Sequence, residues 1–350
     1  MFARISDRRF WLALGLATIA LIAAGCGDDD EPAALDYAAA FSNALWQEAH
    51  DSLDAAPAAG TAAARVTLQL DWLPNTNHTG IYVAQAQGWY AEQGITLEVL
   101  PFSGGNGDVL AAEGVVDVAV SFPTSLAFSR VAGLDLVSIA AILQHNPTEV
   151  AVLASGPIQR PRDMDGKTYA GFGLPYEVPQ ITTVIRADGG KGEIQNVVLN
   201  TAAYEALYSG AADIAETFVT WEGIEARQRG VELRTFPYAA FGIPDFPGVV
   251  LVVARQTLEE KREALVRFLR ATIRGYEFAI ANPREAAQML IDAAGEDAFP
   301  NTELVFESAE LLAAEYYADG QGRWGSQSEP QWTDYPRWLA EQGLLTAPGE

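Results

Sequence analysis

Two hydrophobic periodicities alternate along most of this chain. Val66–Leu70, Thr96–Leu100, Val116–Val120 and Leu136–Ala140 are short apolar runs of the kind that form strands buried on both faces. Between them, Ile81–Glu92, Asp108–Glu113 and Ser125–Ala132 carry helical spacing. A second set follows the apolar run Val150–Leu153. Its strands are Lys167–Gly171, Asn196–Leu199 and Ala212–Glu216, and its helices are Val178–Ala187, Ala202–Ser209 and Glu222–Arg229. The chain then returns to an apolar run, Gly248–Val253, a long amphipathic helix from Glu259 to Ile280, and further helices. Strict alternation of strand and helix means βαβ units and parallel sheets, whose ligands lie at the carboxyl ends of the strands. Val150–Leu153 and Val249–Val253 bracket the middle set, as two crossings between lobes would. The pattern predicts an α/β fold with lobe 1 over residues 65–154 and 248–345 and lobe 2 over residues 155–247, hinged at the crossings. No internal repeat of fixed period is evident.

The N-terminus reads as an export signal. Arg4, Arg8 and Arg9 precede the apolar run Phe10–Ala24, which is short for a membrane span of ~20 residues. The run ends in Ala23-Ala24-Gly25-Cys26, which resembles a bacterial lipobox. Residues 1–25 are then a signal peptide, and Cys26 becomes the lipidated end of an extracytoplasmic, membrane-anchored protein. The competing reading is an uncleaved signal anchor with an incidental thiol. Cys26 is the sole cysteine, so neither an intramolecular disulfide nor a cysteine-based zinc site can form. Gly27 to Ala64 is rich in alanine and acid, beginning Asp28-Asp29-Asp30-Glu31-Pro32, and residues 26–64 read as a tether. Tyr37, Phe41, Leu45 and Trp46 recur within it at near-helical spacing, so a short amphipathic helix either docks on the body or hangs free. A net charge of −24 excludes nucleic acid as a partner, because phosphates would be repelled.

Catalytic signatures are missing. The chain has no Walker A loop, no GxSxG elbow and no HExxH, and His50, His78 and His145 lack metal-ligand spacing, so neither metal nor cofactor is expected. The densest chemistry is Asp71-Trp72-Leu73-Pro74-Asn75-Thr76-Asn77-His78-Thr79-Gly80, directly after the first strand. Trp72 either stacks on a flat ligand or anchors a core. Asp71 either accepts from an amino group or caps the loop. His78 either donates to a ligand or caps the next helix with Asn77 and Thr79. Ser103-Gly104-Gly105-Asn106-Gly107 is an anion cradle or a plain strand-to-helix turn. Ser121-Phe122 also falls at a strand end. In the other lobe, Tyr176-Glu177 and Trp221-Glu222 pair an aromatic with an acid near strand ends, and Pro244-Asp245-Phe246-Pro247 occupies the second crossing as a contact or a rigid turn. Tyr316, Tyr317, Trp324, Trp332, Tyr335 and Trp338 read as packing residues of a docked helical end.

The loop Asp71–Gly80, with Tyr82-Val83-Ala84 and Gly88-Trp89-Tyr90 behind it, resembles the start of the thiamine-pyrimidine family of periplasmic-type binding proteins. The branch also holds the fungal thiamine-pyrimidine synthases. The likeness continues through Gly114-Val115-Val116-Asp117, Leu136–Ala141, Gly166-Lys167-Thr168, Ala271–Tyr276 and Trp324-Gly325-Ser326-Gln327, covering nearly all of residues 65–345. It implies a type II-like periplasmic-binding-protein fold and an extracytoplasmic solute-binding lipoprotein of an ABC importer, with a permease and its ATPase as partners. The implied cargo is formylaminopyrimidine, salvaged for thiamine synthesis. Gln144-His145-Asn146 and Thr220–Ala226 are more similar to the sister riboflavin branch, so pyrimidine and flavin both stay open. The expected ligand set is Asp71, Trp72, Asn75, His78, Ser121, Phe122, Asn146, Tyr176, Glu177, Trp221, Glu222, Asp245 and Phe246. Laid on this chain, the synthases' cofactor-bearing lysine falls at Ser121, their histidine at Ser125 and their cysteine loop near Asp245-Phe246-Pro247. Without the lysine no Schiff base to pyridoxal phosphate can form, so an enzyme is not expected.

Overall fold

The computed structural model describes residues 36–100, 102 and 106–345. The signal peptide, Cys26, the first part of the tether and Ser103–Gly105 lie outside the described residues. Four strands come first: β1 (Ala64–Gln69), β2 (Ile95–Leu100), β3 (Val118–Ser121) and β4 (Leu136–Ala141). The chain then crosses to a second sheet made of β5 (Thr148–Leu153), β6 (Lys167–Gly171), β7 (Ile194–Val198), β8 (Ile214–Phe218) and β9 (Leu233–Pro237), and returns with β10 (Val250–Ala254). The strand orders are β2-β1-β3-β10-β4 and β7-β6-β8-β5-β9.

The two sheets follow one plan. In each, the second strand of the lobe lies at the edge beside the first, and the third follows. A strand of opposite direction then separates the third from the fourth. That strand is β10 in the first sheet, antiparallel to β3 and β4, and β5 in the second, antiparallel to β8 and β9. Purely parallel sheets were expected, and both are mixed. The reason is mechanical: β5 and β10 each start at a crossing and run away from the other lobe, whereas their neighbours run towards it.

The first crossing lies between Ala141 and Thr148, so β5 belongs to the second sheet and not, as a boundary at residue 154 implies, to the first lobe. Strand β9 was not anticipated, because Leu233-Arg234-Thr235-Phe236-Pro237 mixes charge and proline as edge strands do. The helix expected over Ile81–Glu92 is two helices, Thr79–Ala86 and Trp89–Glu92, separated where Gly88 turns left-handed at φ 76°. The long C-terminal helix runs Arg262–Ala281, behind a separate turn of helix at Arg255–Glu260.

The main core lies between the first sheet and helix Arg262–Ala281, where Leu68, Val120, Ile139 and Leu251 meet Phe268, Leu269, Ile273 and Tyr276. It also includes Leu45, Trp46 and Ala49 from a helix at Asn43–Asp51, inside the stretch read as tether. Trp46 Nε1 donates to the Trp324 carbonyl at 2.8 Å. Asn43 Nδ2 donates to the Gln327 carbonyl at 2.5 Å, and Gln327 N–H returns a bond to Asn43 Oδ1 at 3.1 Å. Phe41 stacks on Trp332 at 5.8 Å. From Phe41 to Asp51 the chain is therefore body and not spacer. Burying an indole of this kind contributes about 1.5–3 kcal/mol.

Candidate ligand-binding cleft

The loop after β1 is held from behind. Tyr276 and Tyr317 donate their hydroxyls to the carbonyls of Asn77 and Thr76, and Thr76 Oγ1 lies 2.7 Å from Ser308 Oγ. Helix Thr79–Ala86 rests on helix Arg262–Ala281 through Gly80 and Gly275. A Cβ on Gly275 would overlap the Gly80 carbonyl, and one on Gly80 would enter the Tyr276 ring.

Within the loop, most polar side chains serve the loop itself. Asn75 Oδ1 accepts the Asn77 N–H at 2.9 Å, and its Nδ2 donates to the Leu73 carbonyl at 3.1 Å. His78 is fully buried. Its Nδ1 accepts the Asn75 N–H at 3.2 Å, so Nε2 carries the proton it shares with Asp71 Oδ1 at 2.7 Å. Both ring nitrogens are used, and His78 meets no ligand in this arrangement. Asn75 and His78 are loop-forming residues, contrary to the expectation that they read a ligand edge. Trp72 is different: it is 45% exposed, is no core anchor, and faces Phe102 with ring centroids 5.0 Å apart. Phe102 follows β2, the strand beside β1, and was overlooked because it is a lone aromatic beyond the end of the apolar run.

Ser121 is buried at the end of β3, and Phe122 packs against the first-lobe core. Ser125 and Ser129 both donate to Asp108 Oδ2, at 2.9 and 2.8 Å. At the positions where the synthases are expected to carry lysine and histidine, this chain has a buried hydroxyl and a serine committed to Asp108.

In the second lobe Glu177 is also a loop former. Its two oxygens accept the backbone N–H groups of Phe172, Gly173 and Leu174 at 2.9, 2.8 and 3.0 Å, which fixes the turn after β6. Tyr176 stacks on Phe128 of the first lobe at 6.4 Å. Trp221, expected to flank a ligand, packs instead against an apolar cluster of the first lobe containing Tyr82, Leu290, Phe299 and Val305. The crossings hold three more residues of the expected set. Asn146 donates its N–H to Asp245 Oδ1 at 3.4 Å and accepts the Thr148 N–H at 3.2 Å. Asp245 Oδ2 lies 2.5 Å from His145 Nδ1, which raises the His145 pKa chiefly through that hydrogen bond. Phe246 stacks on Tyr335 at 3.7 Å. The Tyr335 hydroxyl, 2.9 Å from Thr124 Oγ1, accepts from Gln180 Nε2 at 3.0 Å and so joins both lobes. Asn146, Asp245 and Phe246 work in the crossings.

What remains in the second lobe, in and around β6 and β8, is acid among tyrosines. Glu216 of β8 accepts from Tyr169 Oη at 3.4 Å and from Tyr238 Oη. Burial, and then the charge of Glu177, push its carboxyl up to about 8. Glu222 is pushed up to about 7, mainly by burial, and its Oε2 has no partner. Tyr204 stands edge-on to Phe172 at 6.0 Å, and its hydroxyl pKa is raised by burial and by the charges of Glu222 and Glu216. Of this group only Glu222 was anticipated. Glu216 had a signal, a carboxylate closing the apolar run Ala212–Glu216.

Residues 75–286 match the family model described as NMT1/THI5 like. The chain belongs to the NMT1/THI5-like family. Among members of known role, a formylaminopyrimidine-binding protein of Halalkalibacterium halodurans is 29% identical over 81% of this chain and 87% of that one. A 4-amino-5-hydroxymethyl-2-methylpyrimidine phosphate synthase of Legionella pneumophila is 29% identical over 65% of this chain and 73% of that one. The riboflavin-binding protein RibY of Chloroflexus aurantiacus is 27% identical over 84% of this chain and 85% of that one. Among solved structures, the alkanesulfonate-binding protein SsuA of Xanthomonas axonopodis pv. citri gives a TM-score of 0.61 at 12% identity over 82% of this chain and 96% of that one. This NMT1/THI5-like protein thus has the two-lobed periplasmic-binding-protein fold, built as the solute-binding proteins of ABC importers are.

Proposed function

We propose that the protein is the extracytoplasmic substrate-binding lipoprotein of an ABC importer, anchored through Cys26, and that it carries a flat nitrogen heterocycle of the formylaminopyrimidine type for thiamine salvage. The observation that carries this reading is that Tyr204 of the second lobe feels the charges of two buried acids, Glu216, which Tyr169 and Tyr238 also hold, and Glu222, while the first lobe presents the exposed indole of Trp72. A carboxyl group held near neutrality matches an aminopyrimidine edge at two points. Its O–H donates to a ring nitrogen while its other oxygen accepts from the exocyclic amine. Glu222, with an unpartnered Oε2, is the group suited to that pairing. Leaving that oxygen unpaired costs about 1–3 kcal/mol, which a ligand donor recovers. Sulfonates and phosphates are disfavoured beside these acids. The kinship with the formylaminopyrimidine-binding protein supports the cargo class, and the serines at 121 and 125 supply no amine for the synthase chemistry. Riboflavin is the second reading, favoured by the likeness to RibY over most of both chains.

Calorimetric titration with formylaminopyrimidine, and quenching of flavin fluorescence with riboflavin, test the proposal. Saturable binding of one is expected, and binding of neither overturns it. Trp72→Ala should weaken ligand binding by about 1–3 kcal/mol with unfolding little changed, because the indole is 45% exposed and would offer its free face to the ligand.

A further inference from the structure

The indole of Trp221 and the carboxyl of Glu222 leave neighbouring Cα atoms, ~3.8 Å apart along the chain. Trp221 caps the helix Glu222–Gln228 and Glu222 opens it. The indole seats among Tyr82, Leu290, Phe299 and Val305, all in the first lobe. One turn further on, the same helix makes polar ties to that lobe. Gln228 Nε2 donates to Glu307 Oε1 at 3.1 Å, Gln228 Oε1 accepts from Asn301 Nδ2 at 2.7 Å, and Arg227 pairs with Glu307. Asn301 is itself fixed, since its Oδ1 caps helix Thr302–Glu315 by accepting the Leu304 N–H at 3.3 Å. The Arg227 side chain is 67% exposed. Ties of this sort are individually weak and reversible. Elsewhere between the lobes, Tyr335, stacked on Phe246 of the second crossing, accepts from Gln180, and Tyr176 stacks on Phe128.

We infer that helix Glu222–Gln228 is the closing latch of the protein, with Trp221 as its wedge and Arg227 and Gln228 as its bolts on Asn301 and Glu307. A ligand that engages Glu222 then draws Trp221 into the first lobe in the same movement. Trp221 is a positioning residue and not a stacking one. The ligand half of this inference rests on the binding reading above; the interlobe half does not.

The test measures interlobe distance and ligand kinetics together. Spin labels at E113C and Q195C, both exposed and on different lobes, are placed in the full chain carrying Cys26→Ser. Distances are recorded alone and with formylaminopyrimidine or riboflavin. Gln228→Ala, an exposed position whose side chain bonds Asn301 and Glu307, should broaden the distance distribution towards open forms and raise ligand dissociation about tenfold. Association should stay within about twofold, as is usual when a bound state is loosened. Trp221→Ala should do the same and Trp221→Phe should restore much of the effect. Unchanged distances and unchanged dissociation would overturn the latch. So would a Trp221→Ala loss that leaves the distances alone, which would return the indole to the ligand. If wild type binds neither compound, the cargo reading fails, and the broadening in the ligand-free variants still decides the latch.

Discussion

At the scale of single residues, polar groups at strand ends have two destinations. Some close a loop on itself and some wait for a ligand. Asp71, Asn75, His78 and Glu177 look like ligand contacts because a carboxylate, an amide or an imidazole after a strand serves either purpose. Backbone torsions then direct Asn75, His78 and Glu177 to nearby N–H and C=O groups. Composition carries no trace of that choice, and the one sequence signal for Glu216, a carboxylate closing an apolar run, is the same whether the acid serves the fold or a ligand. Glu216 carries the sharpest prediction at this scale. Its folded pKa of about 8 stands above the ordinary 4.5, so the folded protein binds a proton that the unfolded chain has lost. The associated stability is complete below about pH 4.5 and is lost as pH rises through about 8. The ligand-free protein should therefore melt several degrees lower at pH 8.5 than at pH 5, and Glu216→Gln should flatten that slope. A melting temperature in Glu216→Gln that still falls as steeply would remove Glu216 as the cause.

At the scale of elements, apolar runs disclosed nearly every strand, because strands buried on both faces need them. Direction and neighbours were beyond reach: nothing in Val250–Ala254 says that it runs antiparallel between β3 and β4. Strand β9 escaped because an edge strand may be polar. Helix contacts were hidden for a different reason, since Gly80 and Gly275 stand far apart in the chain and meet only in the fold. Gly275→Ala is expected to push the two helices apart and cost about 1–3 kcal/mol, the usual range for overpacking. Urea denaturation would show it, and a midpoint equal to wild type would mean that the helices part without strain. The shift should also disturb ligand binding, because helix Thr79–Ala86 carries the loop of Trp72.

At the scale of the whole molecule, two lobes and two crossings were readable from the alternation of strands and helices. The point of crossing was not, because Gln144-His145-Asn146-Pro147 reads equally well as a turn between two strands of one sheet. Export and anchoring belong to this scale too. With the proposed lipid at Cys26, the wild-type chain should sediment with membranes. Cys26→Ser should move it to the soluble fraction while ligand affinity stays put. Equal partition of both forms would argue for the uncleaved anchor.

The docked helix Asn43–Asp51 has a consequence for reach. Had residues 26–64 all been spacer, the body could roam far from its anchor. Since the chain joins the body by Phe41, only residues 26–40 remain as a leash for the proposed lipid at Cys26. At no more than ~3.6 Å each, a leash of that length reaches at most about 54 Å. Each molecule would patrol a small disc of membrane, meeting a permease by lateral diffusion of the pair and at an effective concentration that a longer leash would dilute.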